Sequence, residues 1–274
     1  MSRISIPLEI CRSETSVALS ANDFCGLSDG AGCSPIDDLI GYFRSVMPLG
    51  NRETLERNNV LGRVLLLGLV SGTETYFRSI LARLVIRCPF CCSIAGSQMM
   101  SLAAAQHYSE EELGFGILER ISFSSSGELA RATLKLTGIN IDVRSSVATA
   151  IEQFELLCHF RHAAVHARGE LNPANLAAIG IGTAGAENHL VIRLGHLHLA
   201  AEVCLNAARA YNRFLFKGIM NRWIEKRKLT GNWATDRQQF SRMLSVFRSR
   251  EDGYGGPSYT FWLYNQLRPA IVRA

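Results

Sequence analysis

No stretch of this sequence reaches the roughly 18 uninterrupted apolar residues that a membrane-crossing helix needs. The longest approach, "VLGRVLLLGLVSGTETYF", is broken by Arg63 and Glu74. The opening "MSRISIPLEICRSETS" has no continuous apolar segment before a small-residue cleavage site, so no export leader is read there. Charge is sparse: 19% of the 274 residues are Asp, Glu, Lys or Arg, against 47% hydrophobic, which excludes wholesale disorder and leaves material for a large core. No internal repeat is evident. The eight cysteines have no export signal beside them and a chain this long needs no disulfide scaffold, so they are read as reduced. These features predict a soluble, cytoplasmic protein.

What charge there is lies unevenly. Between Arg209 and Arg250 stand eleven Lys/Arg against Glu225 and Asp236, a local excess of +9 within a net charge of +5. The same third carries Tyr211, Phe214, Phe216, Trp223, Trp233, Phe240 and Phe247. Cations beside aromatic rings suit a nucleic-acid backbone and its bases. Arg213, Lys217, Arg222, Lys226, Arg227 and Lys228 are the candidate RNA contacts. An amphipathic helix with solvated charges and core aromatics would give the same pattern.

Periodicity predicts helices nearly throughout. Residues 1–36 lack a sustained period and read as an arm. A helix starts at Asp37 and stops near Pro48. A long one follows from about Glu53 to Arg87, with Leu61, Leu65, Leu69, Tyr76, Ile80 and Leu84 on its apolar side and Glu74 and Arg78 spaced to pair. Further helices are read in "FCCSIAGSQMMSLAAAQHY", "SEEELGFGILERISF" and "SGELARATLKLTG", then from about Ser146 to Arg168, with Gly169 as its stop. "AAIGIGTAGAENHLVIRLGHLHL" is glycine-rich and then alternating, which predicts a loop with a short hairpin. A last strong helix, about Leu199–Lys228, leads into a basic extension, 229–274. The sum is an all-α antiparallel bundle over 37–228.

Three motifs compete for chemistry. "GIGTAG" matches the spacing of a dinucleotide loop, but strand-like sequence follows it where a helix is required. "CPFC", Cys88–Cys91, resembles a redox motif, yet some thirty residues of helical pattern precede it, and a zinc site on Cys88, Cys91 and Cys92 lacks a second ligand pair. The third is "LLCHFRHAAVHARGEL". At about 100° per residue, Val147, Ile151, Phe154, Cys158 and Val165 form an apolar stripe, and His159, His162 and His166 share one sector about 60° wide beside it. That face offers a metal-binding regulator one set of ligands. The general base of a zinc-hydrolase helix is missing, because Ala163 stands where H-E-x-x-H has Glu.

"RHAAVH", Arg161 to His166, resembles the R-x(4–6)-H signature of the HEPN superfamily, with polar His162 directly after the arginine. The resemblance covers about Asp37–Lys228. It implies a compact helical bundle, usually dimeric, often a metal-independent endoribonuclease needing no cofactor, and in many cases a toxin or phage-defence effector restrained by an antitoxin or other regulatory partner. Other members only bind or scaffold, so a non-catalytic dimerisation or nucleic-acid-binding module is the alternative. Arg161 and His166 would be catalytic and His162 auxiliary. The chemistry fits these residue types: attack by a ribose 2′-hydroxyl needs a proton acceptor, a proton donor and charge stabilisation at phosphorus. Arg161 and His166 lie about 140° apart on a straight helix, so a symmetric dimer is expected to bring them to one cleft.

Overall fold

In the computed structural model of the chain, which describes residues 16–26, 33–182 and 188–274, helices begin where short polar side chains can cap them. Ser34 accepts from the Asp37 amide and starts α1 (Pro35–Val46). Asn51 starts α2 (Arg52–Arg57), and Asn58 starts α3 (Asn59–Arg87) by accepting from the Leu61 amide. The single helix expected from Glu53 is therefore split: Asn58 takes φ −133° and ψ 85°, and its side chain offers the backbone a partner outside the helical ladder. α4 (Pro89–Ala95) and α5 (Leu102–His107) replace the continuous helix expected there, because Ser101 recaps the chain. α6 (Leu113–Leu118), α7 (Ser126–Thr137), α8 (Ser146–His166) and α9 (Pro173–Ala178) follow. α10 (Leu194–Glu225), α11 (Trp233–Phe247) and α12 (Pro257–Arg273) complete the order.

The expected hairpin is corrected. Among the described residues no strand forms, only one isolated antiparallel bridge, Glu170 to His189, while 183–187, with the last glycine of "GIGTAG", lie outside the described residues. The alternating "GHLHL" is the first turn of α10, which starts at Leu194 instead of Leu199; the Arg193 amide donates to His196 Nδ1 at 3.3 Å. An alternation of five residues is too short to outweigh a helix that buries Leu197, Ala200, Ala201 and Cys204 on one side.

The chain is all-helical and divides into two units, 1–32 and 33–274. The described part of the first, 16–26, holds one 3₁₀ turn, Ala21–Phe24, with nothing buried. In the second, α3 is the central helix. Leu65, Leu66, Leu69, Val70, Phe77, Ile80, Leu81 and Leu84 are all buried, so its apolar residues wrap round the axis instead of forming one stripe. By length and composition α3 could cross a membrane, but here α1, α6, α8 and α10 pack on it. Phe77 marks the meeting point: its ring stands edge-on to Phe154 of α8 and Tyr211 of α10, at 5.5 and 5.2 Å between centroids. The Tyr211 hydroxyl lies 2.6 Å from Thr133 Oγ1 of α7. Residues 229–274 share this core through Phe240, Met243, Phe247 and Tyr264.

α6 reaches α3 through a glycine. A Cβ on Gly114 would stand 2.2 Å from the Ala82 carbonyl oxygen, and backbone cannot swing aside. Gly114→Ala is expected to cost about 1–3 kcal/mol in thermal unfolding. Gly127→Ala in α7, where a Cβ meets nothing within 4 Å, is expected to be nearly neutral. Equal losses in the two variants would contradict the close α3–α6 approach.

Candidate active site

α8 carries the candidate residues. Ser145 caps it by accepting from the Ala148 amide, and Val147, Ile151, Phe154 and Cys158 are buried as the stripe predicts. Val165, the fifth member, is 48% exposed, which corrects that part of the stripe. The last turn of α8 runs beside the first turns of α3, and Val165 lines a cavity of about 410 Å³ there with Ala164, Val60 and Val64. The helix ends as Gly169 takes φ +96° and its amide donates to the Ala163 carbonyl at 2.9 Å. A side chain at 169 would strike the Arg63 guanidinium, which lies across it and meets His189 Nε2 at 3.0 Å.

Arg161 and the histidines occupy different sides of this helix. Arg161 faces α3 and pairs with Glu74, Nη2 to Oε1 at 2.5 Å, with side chains only 23% and 20% exposed. Its Nε is buried and has no hydrogen-bond partner among the described residues. His162 and His166 are exposed, with ring centroids 4.6 Å apart, and His159 is half-buried. Among the described residues no group of three His, Cys, Asp or Glu is close enough to hold a metal ion, so the shared sector of His159, His162 and His166 does not make a ligand set.

Glu74 is the partner that local spacing misassigns. Its expected pairing with Arg78 does not form: Arg78 donates to the Ile121 carbonyl at 3.1 Å and lies 5.3 Å from the Phe123 ring centroid. An i,i+4 ion pair in solvent contributes only about 0.3–0.5 kcal/mol, so tertiary partners override it easily. The Glu74–Arg161 pair is more shielded. A double-mutant cycle with Glu74→Gln and Arg161→Met is expected to give a coupling energy of about 1–3 kcal/mol in urea unfolding. Additive effects of the two substitutions would contradict the ion pair.

The basic candidates do not form one face. Arg213 and Lys217 are exposed on one side of α10, while Arg222 and Lys226 fall on the opposite side, Arg222 about 180° round from Arg213. Arg222, expected to meet RNA, instead donates to the Thr137 carbonyl and closes the end of α7. Arg227, at φ +51°, spends its Nε and Nη2 on the Ala274 carbonyl oxygen. Lys226 is exposed and Lys228 half-buried. The aromatics of the basic third divide in the same way: Tyr211, Trp223, Phe240 and Phe247 belong to the core.

Cys88 and Cys91 are buried and free, while Cys92 is exposed. A hydrogen bond from the Cys91 thiol, then one from the Trp223 indole, lowers the Cys88 thiol to about 6 against the opposing effect of burial, and the same contact with Cys88 raises Cys91. Both thiols are enclosed by the core, which does not place either of them to meet a substrate.

Fold and site define an all-helical protein with an exposed imidazole pair at the end of one long helix and a guanidinium held on its inner side. No known protein family, curated protein or solved structure matches the chain.

Proposed function

We propose that the protein is a metal-independent endoribonuclease of the HEPN type, acting on RNA as a homodimer. The observation that carries this reading is the exposed His162–His166 pair, 4.6 Å between rings, on the final turns of the helix that also bears Arg161. One imidazole takes the proton of the ribose 2′-hydroxyl as that oxygen attacks phosphorus; another donates a proton to the departing 5′-oxygen. The products are a 2′,3′-cyclic phosphate and a 5′-hydroxyl, and a guanidinium stabilises the phosphorane between them. DNA, without the 2′-hydroxyl, is spared.

Dimerisation supplies what one chain lacks. Val60, Val64 and Val165, each about half exposed, make an apolar strip beside the imidazoles, since Val165 and His162 are only about 60° apart round the helix. A second copy covering that strip borders the histidines and brings its own Arg161 and His166 near them. A toxin or phage-defence role under the restraint of a partner is part of the same proposal.

The Glu74 ion pair favours a second reading, in which Arg161 straps α8 to α3 and the protein binds RNA without cutting it. Incubation of the purified protein with RNA in excess EDTA separates the two. Cleavage with cyclic-phosphate and 5′-hydroxyl ends supports the nuclease. RNA that is bound but intact, with and without divalent ions, overturns it in favour of the binding module.

A further inference from the structure

Between α10, α11 and the start of α12 lies a cleft of about 530 Å³, within the range of about 300–1,000 Å³ typical of small-molecule sites. Its walls combine rings with cations. Phe216 and Phe247 meet edge to face at 5.3 Å, and Tyr254 and Tyr259 are 5.4 Å apart. Three arginines and one carboxylate line it. Arg209 is neutralised by Asp252 through Nε at 3.0 Å and Nη2 at 2.6 Å. Arg213 has no hydrogen bond or ion pair among the described residues, and Arg248 spends only Nη1, on the Gly256 carbonyl and Thr260 Oγ1. Two guanidiniums with spare N–H groups therefore line the cleft, and among the described residues no carboxylate pairs with either.

The cleft is built, not a gap left by a loose loop. The buried Asp37 carboxylate at the start of α1 accepts from Ser249 Oγ at 2.8 Å and from the Arg250 and Glu251 amides at 3.0 and 3.2 Å, which fixes the segment carrying Tyr254. Asn212 donates to the Phe247 carbonyl at 2.7 Å and accepts from the Tyr76 hydroxyl, which locks α10 to α11 on the opposite wall. Burial, then the neighbouring Tyr254, raises the Tyr259 hydroxyl above its ordinary value, so it stays a neutral donor.

We propose that this cleft binds a nucleotide, with the base against the Tyr254, Tyr259 and Phe216 rings and the phosphate on Arg213 and Arg248. Unbalanced guanidiniums select an anion and fork onto phosphate oxygens; flat aromatic walls select a planar group, and stacking tolerates any base. Neither Arg161 nor His166 takes part, so this assignment stands or falls apart from cleavage. The nucleotide comes either free or as one unit of an RNA chain.

Calorimetric titration with AMP, GMP, CMP and UMP tests it, with adenosine and inorganic phosphate as partial ligands. Saturable one-to-one binding of at least one monophosphate is expected, with both partial ligands weaker. Arg213→Ala is expected to weaken binding about tenfold or more, and Tyr254→Ala about fivefold or more, while Tyr254→Phe keeps it. Lys135→Ala, at an exposed position of α7 outside the cleft, is expected to change nothing. The source is read with oligoribonucleotides on the His166→Ala protein: affinity that rises with length assigns the cleft to an RNA chain, and affinity equal to the monomer's assigns it to free nucleotide. Absence of binding by every monophosphate and oligonucleotide overturns the proposal, as does binding indifferent to both Arg213→Ala and Tyr254→Ala. Circular dichroism of each variant shows that it is folded, which its exposed or half-exposed position predicts.

Discussion

Replacement of His166 by alanine is expected to lower EDTA-resistant RNA cleavage by about 10²–10⁴-fold, the usual contribution of a positioned acid or base. His166 is exposed at the end of α8 and packs into no core, so its unfolding temperature should stay within a degree or two of the parent. Arg161→Ala is expected to lose cleavage comparably but also stability, because Glu74 is then left shielded without its partner. That contrast separates chemistry from support. The decisive arm uses both variants together. If one subunit's arginine serves its mate's histidine, a mixed dimer of Arg161→Ala and His166→Ala subunits contains one intact site of two. Equal mixing then restores about a quarter of parental activity. Undiminished cleavage by His166→Ala would remove His166 from the catalysis, and absence of any restoration would remove the shared site.

Asp236→Ala is expected to cost about 3–5 kcal/mol. Asp236 is fully buried in the first turn of α11. Its carboxylate accepts from the Thr230 amide and hydroxyl, the Gly231 amide, Gln239 Nε2 and the Tyr264 hydroxyl, the last at 2.6 Å. Alanine leaves two backbone amides and a buried phenol without acceptors. Burial, then this bond to Asp236, also raises the Tyr264 hydroxyl, so the phenol remains a donor throughout the working pH range. Asp236→Asn keeps one acceptor oxygen and is expected to cost less than half as much. Urea unfolding followed at Trp233, whose ring is 5.0 Å from that of Tyr264, reads the effect where it arises. An unchanged midpoint for Asp236→Ala would mean that these bonds do not hold α11 and α12 to the loop between α10 and α11.

Legibility in the sequence followed distance along the chain. The start of α8 at Ser146, its stop at Gly169, the buried stripe from Val147 to Cys158 and the helical continuity of α3 around Phe77 all depend on residues within a few turns of one another. Helix periodicity and capping act at that range, so a linear reading captures them. Asn58 shows the same point from the other side: the signal was local and present, but the strong leucine period around it masked a break of one residue. The partner of Arg161 was out of reach, because Glu74 is 87 positions away and looked better placed to meet Arg78. Arg222 and the Thr137 carbonyl, 85 positions apart, were hidden for the same reason. The basic third read as one surface because a count of charges carries no angle; on a helix, Arg213 and Arg222 point to opposite sides.

Order along the chain was sufficient to determine that this protein is helical, where most helices begin and end, and that arginine and histidines crowd the last turns of one of them. Caps, periods and breakers exert their energy between near neighbours, and the amino-acid order states those neighbours outright. Only the folded molecule decided which charges are consumed by other helices and which remain free: Arg161 against Glu74 and Arg222 against α7, but Arg213 open in an aromatic cleft. A long flexible side chain takes whichever acceptor the packed core delivers, and that delivery depends on how α3, α8 and α10 come together through Phe77, Phe154 and Tyr211.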